Sequence, residues 1–196
     1  KFPAFEFVGR IVSVDIGLPP SLSGFSQIQG VVVDHKMAYE KLPDRPLNAH
    51  KGTFGKCLIV GGSVNYCGAV VLAAQSAYKI GAGLVCAAIP GSIYDAIAGQ
   101  VPECTWVMLP DSVGVINGSA SAIVQQYLNR VDVMLIGPGL GQEKETFEFI
   151  KNLLLFNNMG SNREKFGFSQ QPQLRKAVQP RSKPLLVFDA DALRHL

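Results

Sequence analysis

The sequence predicts an α/β protein: a three-layer α/β/α sandwich built on a mainly parallel sheet. Two patterns point there. Short, continuously apolar runs alternate with helical stretches of roughly 10–15 residues, and strands buried on both faces are a mark of parallel pairing under two helix layers. Those runs also end in glycine-rich or acidic turns. Cys57-Leu58-Ile59-Val60 breaks at Gly61-Gly62-Ser63, Val133-Met134-Leu135-Ile136 at Gly137-Pro138-Gly139-Leu140-Gly141, and Leu185-Leu186-Val187-Phe188 at Asp189-Ala190-Asp191. In an open parallel sheet the carboxyl ends of the strands line one crevice, and ligands bind there. Glycine lets backbone N–H groups approach a ligand, and helix N-termini favour its negative charge. This combination describes a nucleotide pocket.

Taken in order, residues 10–16 read as a strand stopped by Gly17-Leu18-Pro19-Pro20, and residues 31–33 as a short second strand. After His50 the alternation becomes regular. A strand at 57–60 precedes a helix from about residue 68 to 79. Ala69, Leu72, Ala73, Ser76, Ala77 and Ile80 recur there at helical spacing, with Gly81 or Gly83 as C-cap. Residues 84–89 form a strand closed by Pro90-Gly91, and Ser92 is placed to cap a helix ending near Gly99. A strand at 105–109 and a helix at 119–129 follow. Then come a strand at 132–136 and a helix at 143–156 with Phe147, Ile150, Leu153 and Leu154 on one face. The last strand is 185–188. Residues 157–183, rich in Asn, Gln and Pro, read as a flexible insertion, far longer than the roughly 2–6 residues usual for such a connection.

Composition narrows the function. The chain has 196 residues, 47% of them hydrophobic and 17% charged, which is globular rather than disordered. Its net charge of +3 is too small to argue for nucleic acid, and the local excess of five positive charges in 157–183 reads as a solvated linker. No apolar run reaches membrane-spanning length and no signal peptide is visible. Four cysteines without disulfide or zinc spacing fit a reducing compartment, hence the cytoplasm. The chain begins at Lys1 rather than Met and stops just after a strand, so both ends read as cut.

Each motif has a plainer interpretation beside the functional one. Gly61-Gly62-Ser63 with Gly68-Ala69 lacks the Lys-[Ser/Thr] of a P-loop and is either a tight turn or a ligand loop. The loop from Gly137 to Gly141 is a weak dinucleotide fingerprint, because Gln142 stands where a third glycine belongs. It is a better candidate as a lining loop. Asp189 and Asp191 are placed to order a metal, a ribose hydroxyl or a basic side chain, or simply to cap a helix. His50-Lys51 is either a phosphate contact or a solvated pair. Cys67 is either reactive or a small filler.

In order, these pieces resemble the NAD(P)H-hydrate dehydratase family of the ribokinase-like superfamily. The matching segments are His50-Lys51-Gly52-Thr53-Phe54-Gly55-Lys56, Val60-Gly61-Gly62-Ser63 with Tyr66 and Gly68-Ala69, residues 77–85, Pro102-Glu103, residues 136–141 and residues 188–193. Before them, residues 9–19 (GRIVSVDIGLP) are similar to the closing strand of a fused NAD(P)H-hydrate epimerase domain. The resemblance implies two parts: residues 1–29 as the end of that domain and a linker, and 30–196 as the N-terminal part of a ribokinase-like dehydratase domain. It implies a lyase that restores hydrated NADH or NADPH, consumes ADP or ATP with Mg2+, and works as a homo-oligomer. Ala69 and Gly139 match positions that hold the hydrated dinucleotide; Tyr66, Gly68, Gly141, Asp189 and Asp191 match nearby pocket positions.

Departures from the family pattern matter too. Arg194 stands where Asn is common. The His-Pro-Gly-Glu, Lys-Gly and Gly-[Thr/Ser]-Gly-Asp segments of the family do not occur in these 196 residues. The last of them supplies the anion hole and the catalytic Asp, so the expectation is that no catalytic residue lies in this chain and that it is inactive alone. Two alternatives stay open: a ribokinase-like kinase of a vitamin precursor, and a non-catalytic dinucleotide-binding fragment.

Overall fold

The computed structural model describes residues 7–10, 12, 14–19, 21–156 and 184–196, and the insertion expected at 157–183 lies outside them. The chain divides into two compact units, Lys1–Pro46 and Leu47–Leu196.

In the first unit, Asp34 caps a short helix α1 (His35–Glu40) by accepting the Met37 N–H at 2.8 Å. Among the described residues of the strands expected at 10–16 and 31–33, namely Arg10, Val12, residues 14–16 and residues 31–33, none is in a strand. Apolar residues alone do not make a strand. It needs a ladder partner, and among the described residues of this unit there is none.

The second unit holds a five-stranded sheet of β1 (Lys56–Val60), β2 (Leu84–Pro90), β3 (Thr105–Leu109), β6 (Val133–Ile136) and β7 (Leu185–Phe188), in the order β3-β2-β1-β6-β7. Every pairing in it is parallel. The helices are α2 (Cys67–Ile80), α3 (Tyr94–Ile97), α4 (Ala120–Leu128), α5 (Lys144–Phe156) and α6 (Asp191–Arg194). The period-2 alternation of the strands builds two cores. Leu58, Val60, Met134 and Ile136 face α4 and α5, meeting Val124, Phe149, Ile150 and Leu153. Ile59, Val85, Ala87 and Ile89 face the other way, toward Val70, Val71 and Ala74 of α2 and Ile93 and Ile97 beside and within α3. The sandwich of three layers is as the sequence predicts.

The helix faces are so only in part: of the expected rows, Ala73 and Ala77 of α2 and Ile150, Leu153 and Leu154 of α5 pack on the core. In α2 the residues against the sheet are Val70, Val71 and Ala74, whereas Leu72, Ser76 and Ile80 face outward. A helix with so many small apolar residues has no unique stripe, and the branched Val pair fills the sheet surface better than Ala and Ser. In α5 the buried row is Thr146, Phe149, Ile150 and Leu153; Phe147 lies outside it, with its ring 6.0 Å from that of His195. Gly81 closes α2 in the left-handed conformation (φ 108°), as expected. Ser92 caps nothing, because residues 91–93 form a 3-10 turn and the N-cap position of α3 is Ile93, with no side-chain cap.

A two-stranded antiparallel hairpin, β4 (Asp111–Ser112) and β5 (Val115–Ile116), has no counterpart in the expected elements. Its turn residues are Val113 and Gly114 rather than the Asn-Gly or Asp-Gly that signals such a turn.

Candidate functional site

From β1 the chain proceeds to β2 and β3 on one side, while β6 and β7 lie on the other. The strand order therefore reverses between β1 and β6, and the carboxyl ends of strands at such a switch point are where open α/β sheets bind ligands. Both of those loops are glycine-rich. The ladder runs past the strand ends and holds them together: Gly137 N–H donates to Val60 O at 3.1 Å and Gly62 N–H to Pro138 O at 2.8 Å.

Two glycines are fixed by this geometry. A Cβ on Gly61 would collide with the Pro138 carbonyl, so the first loop lies flat against the second. Gly139 has φ +66°, and a Cβ there would sit 2.6 Å from Tyr66 O and 2.9 Å from the Ala69 Cβ. The second loop thus rests on the start of α2, and the two residues singled out first from the sequence, Ala69 and Gly139, are neighbours.

The helix start itself is open. Tyr66 occupies the N-cap position of α2 without a side-chain cap, and no acidic residue stands in the first turn. Gly68 is exposed, with nothing within 4 Å of where a Cβ would be. The first N–H groups of a 14-residue helix carry a partial positive charge of roughly half an electron. By contrast α5 has Glu145 in its first turn and Glu143 just before it. Ser63, at the turn before α2, is buried, and its hydroxyl has no hydrogen-bond partner. Such orphans call for a reason.

The acidic pair is split. Ala190, at φ +46°, breaks the extension between Asp189 and Asp191, so the two do not project alike. Asp189 is exposed beyond β7, with its backbone carbonyl against Gly137. Asp191 turns inward, and its Oδ2 accepts the Gly141 N–H at 3.1 Å. Neither caps α6, whose N-cap position is Ala190. Thr146 donates to Leu140 O at 3.2 Å, and the His195 Nε2 lies 3.5 Å from Gly141 O. Asp191 and Thr146 therefore hold the 137–141 loop in place.

The hairpin adds a wall that sequence reasoning missed. Val64 N–H donates to Gly114 O at 3.0 Å, and Val115 Cγ1 lies 3.3 Å from the Cβ position of Gly141. It touches both glycine loops. A proline-led Asp-Ser-Val-Gly after β3 was the available signal.

Two expectations move elsewhere. His50-Lys51 precedes β1, and Lys51 O packs against Gly83 just before β2, so this segment lies at the amino ends of the strands, away from the crevice. It is the plainer solvated pair. Cys67 packs half-buried on the α2 side of the core. Cys57 and Cys86 are strand residues and Cys104 stands just before β3: burial pushes Cys57 and Cys86 up and Cys104 to about 12, which keeps them protonated and unreactive. Among the described residues no group of three or more His, Cys, Asp or Glu could hold a metal ion.

Residues 57–159 match the family described as NAD(P)H-hydrate dehydratase. The bifunctional NAD(P)H-hydrate repair enzyme of Moorella thermoacetica is 35% identical over 153 residues, covering 78% of this chain and 29% of that protein. The ADP-dependent (S)-NAD(P)H-hydrate dehydratase of Streptococcus pneumoniae is 29% identical over 122 residues, 62% of this chain and 39% of the other. The chain thus spans about three tenths of the length of the repair enzymes it matches. A ribokinase-like superfamily protein from Enterococcus faecalis shares the fold, with a TM-score of 0.53 at 24% identity over 63% of this chain and 40% of its own. A hypothetical protein from Streptococcus mutans gives 0.52 at 28% identity, over 63% and 41%. The ribokinase-like α/β architecture follows from these, and with more than half of its length matched and the glycine loops inside the match, the chain belongs to the NAD(P)H-hydrate dehydratase family.

Proposed function

We propose that the crevice between β1 and β6 holds hydrated NADH or NADPH, and that this chain is the dinucleotide-binding part of an enzyme that removes the added water with ADP or ATP. The observation that carries this is the seating of Gly139 on Ala69 at the uncapped start of α2. There a phosphate finds the favourable charge of a helix N-terminus, and Gly68, with open space where a side chain would stand, leaves room for it.

The chemistry needs an activated leaving group, since hydroxide leaves poorly and phosphate leaves well. Transfer of a phosphoryl group to the hydroxyl on carbon 6 of the ring, then loss of phosphate together with the carbon 5 proton, restores the dihydronicotinamide. Such a transfer depends on positioning and on charge stabilisation. Tyr66, Gly68, Ala69, Gly139 and Gly141 line the dinucleotide's side of the site, with Asp191 as a positioning residue behind Gly141 and Asp189 as the exposed carboxylate at this edge. Mg2+ fits here as an ion carried on the nucleotide's phosphates with few protein ligands, consistent with the lack of a three-ligand cluster among the described residues.

The enzyme is read as a cytoplasmic homo-oligomer that binds neither nucleic acid nor membrane. Free thiols at all four cysteines support the compartment, and the outward row of Leu72 and Ile80 on α2 supports self-association. No described helix is long and apolar enough to cross a membrane.

These 196 residues are expected to bind hydrated NADPH without turning it over, because no Gly-x-Gly-Asp loop is among them. The test is a titration with hydrated NADPH, followed by incubation with ADP and then ATP while the absorbance of the restored nicotinamide is recorded. Saturable binding without sustained turnover is the expected result. Failure to bind overturns the functional reading, and sustained turnover overturns the assignment of catalysis to a segment outside the chain.

A further inference from the structure

The hairpin tip carries a conflict between residue and conformation. A two-residue turn with φ positive at both positions normally takes Asn-Gly, because a β-branched side chain is crowded there. Here the pair is Val113, at φ +49°, and Gly114, at φ +80°. Val113 gains nothing from burial to offset this, since it is 75% exposed. Strain kept at an exposed position calls for a role other than packing.

The surroundings suggest that role. Gly114 lies against Val64, its carbonyl taking the Val64 N–H, and a side chain in its place would strike Val64. Val64 is itself 49% exposed, and Tyr66, two residues on, is 58% exposed while its backbone carries the Gly139 contact. Val64 and Tyr66 thus stay open to solvent beside the uncapped helix start, and the Val64–Gly114 contact brings the tip residue Val113, exposed as well, next to them. Phosphates suit the helix start, and a flat ring attached to them suits an apolar ledge.

We propose that Val113, with Val64 and Tyr66, is a specificity-determining ledge that receives a heteroaromatic ring of the bound nucleotide. This rests on the functional reading above, and it adds the hairpin to the site.

The substitution Val113→Asn suits the turn and removes the apolar surface, so the fold is kept. Its melting temperature should rise by roughly 2–6 °C. Nicotinamide mononucleotide, ADP and inorganic pyrophosphate are then titrated into wild-type and V113N chains. Binding of at least one ring-bearing probe should weaken about three- to tenfold, with pyrophosphate unchanged; the probe affected identifies the ring. Unchanged affinity for both ring-bearing probes, or equal weakening of all three, overturns the ledge. A wild-type chain that binds hydrated NADPH while V113N binds it equally well defeats the ledge and spares the functional reading. A wild-type chain that binds none of these ligands defeats both.

Discussion

Gly61 shows how much a single missing Cβ can decide. Its backbone is not in the left-handed region, so the demand for glycine is purely one of space: the Pro138 carbonyl occupies the position a methyl group would take. Gly61→Ala is expected to cost about 1–3 kcal/mol by overpacking, read as a shift in urea midpoint with unchanged slope. The buried thiols give a second residue-level test. Cys104 is held protonated to about 12 against an ordinary value of 9.0, so its contribution to stability is complete below pH 9 and is lost as pH rises toward 12. In that window the unfolded chain binds fewer protons than the native one, and stability falls by up to about 1.4 kcal/mol per pH unit. Urea melts from pH 8 to 11 should show a shallower decline for Cys104→Ala. An identical decline would place the alkaline sensitivity elsewhere.

The strands of the five-stranded sheet were legible almost residue by residue because each is a short, uninterrupted apolar run bounded by turn residues. Helix existence was legible, helix phase only in part: Ile150, Leu153 and Leu154 of α5 lie against the core as expected. In α2 the choice between the row of Leu72 and Ile80 and the row of Val70, Val71 and Ala74 is made by the shape of the sheet, which spacing does not contain. The hairpin was missed because its turn uses Val113 against local preference, leaving only the weaker signal of Pro110 and Gly114. The sites were legible as loops, while their internal bracing was not. Asp191 and Thr146 reach their partners only through the fold, from α6 and α5 back to the 137–141 loop. Thr146→Val keeps the shape, removes one buried hydrogen bond and leaves the Leu140 carbonyl without that donor. The expected loss is roughly 1–2 kcal/mol in stability, together with faster amide exchange at residues 139–141. Exchange rates that do not change would show that Thr146 does not brace the loop.

At the scale of the whole molecule, the sheet order places the switch point between the two glycine loops, and it also leaves β7 at an edge. Leu185 is 71% exposed and Val187 47%, on an edge that nothing pairs with among the described residues. Such an edge invites association. Val187→Lys is expected to lower the weight-average mass in sedimentation at high concentration, and unchanged association would direct attention to the outer face of α2.

The central claim is that the start of α2, beside Gly139, is where the dinucleotide binds. Gly68 separates this from packing more sharply than Gly139 does, because a side chain at Gly139 would strike Tyr66 and Ala69 with or without a ligand. Gly68 has open space around it and lies in the first turn of the helix, where losing a glycine gains up to about 1 kcal/mol of helix propensity. The decisive measurement is therefore calorimetric titration of hydrated NADPH into the wild-type and Gly68→Leu chains, with their melting temperatures recorded alongside. The account predicts affinity at least tenfold weaker, about 1.4 kcal/mol, in a chain that melts no lower than wild type. Equal affinity in an equally stable chain would show that the helix start is not where the dinucleotide binds.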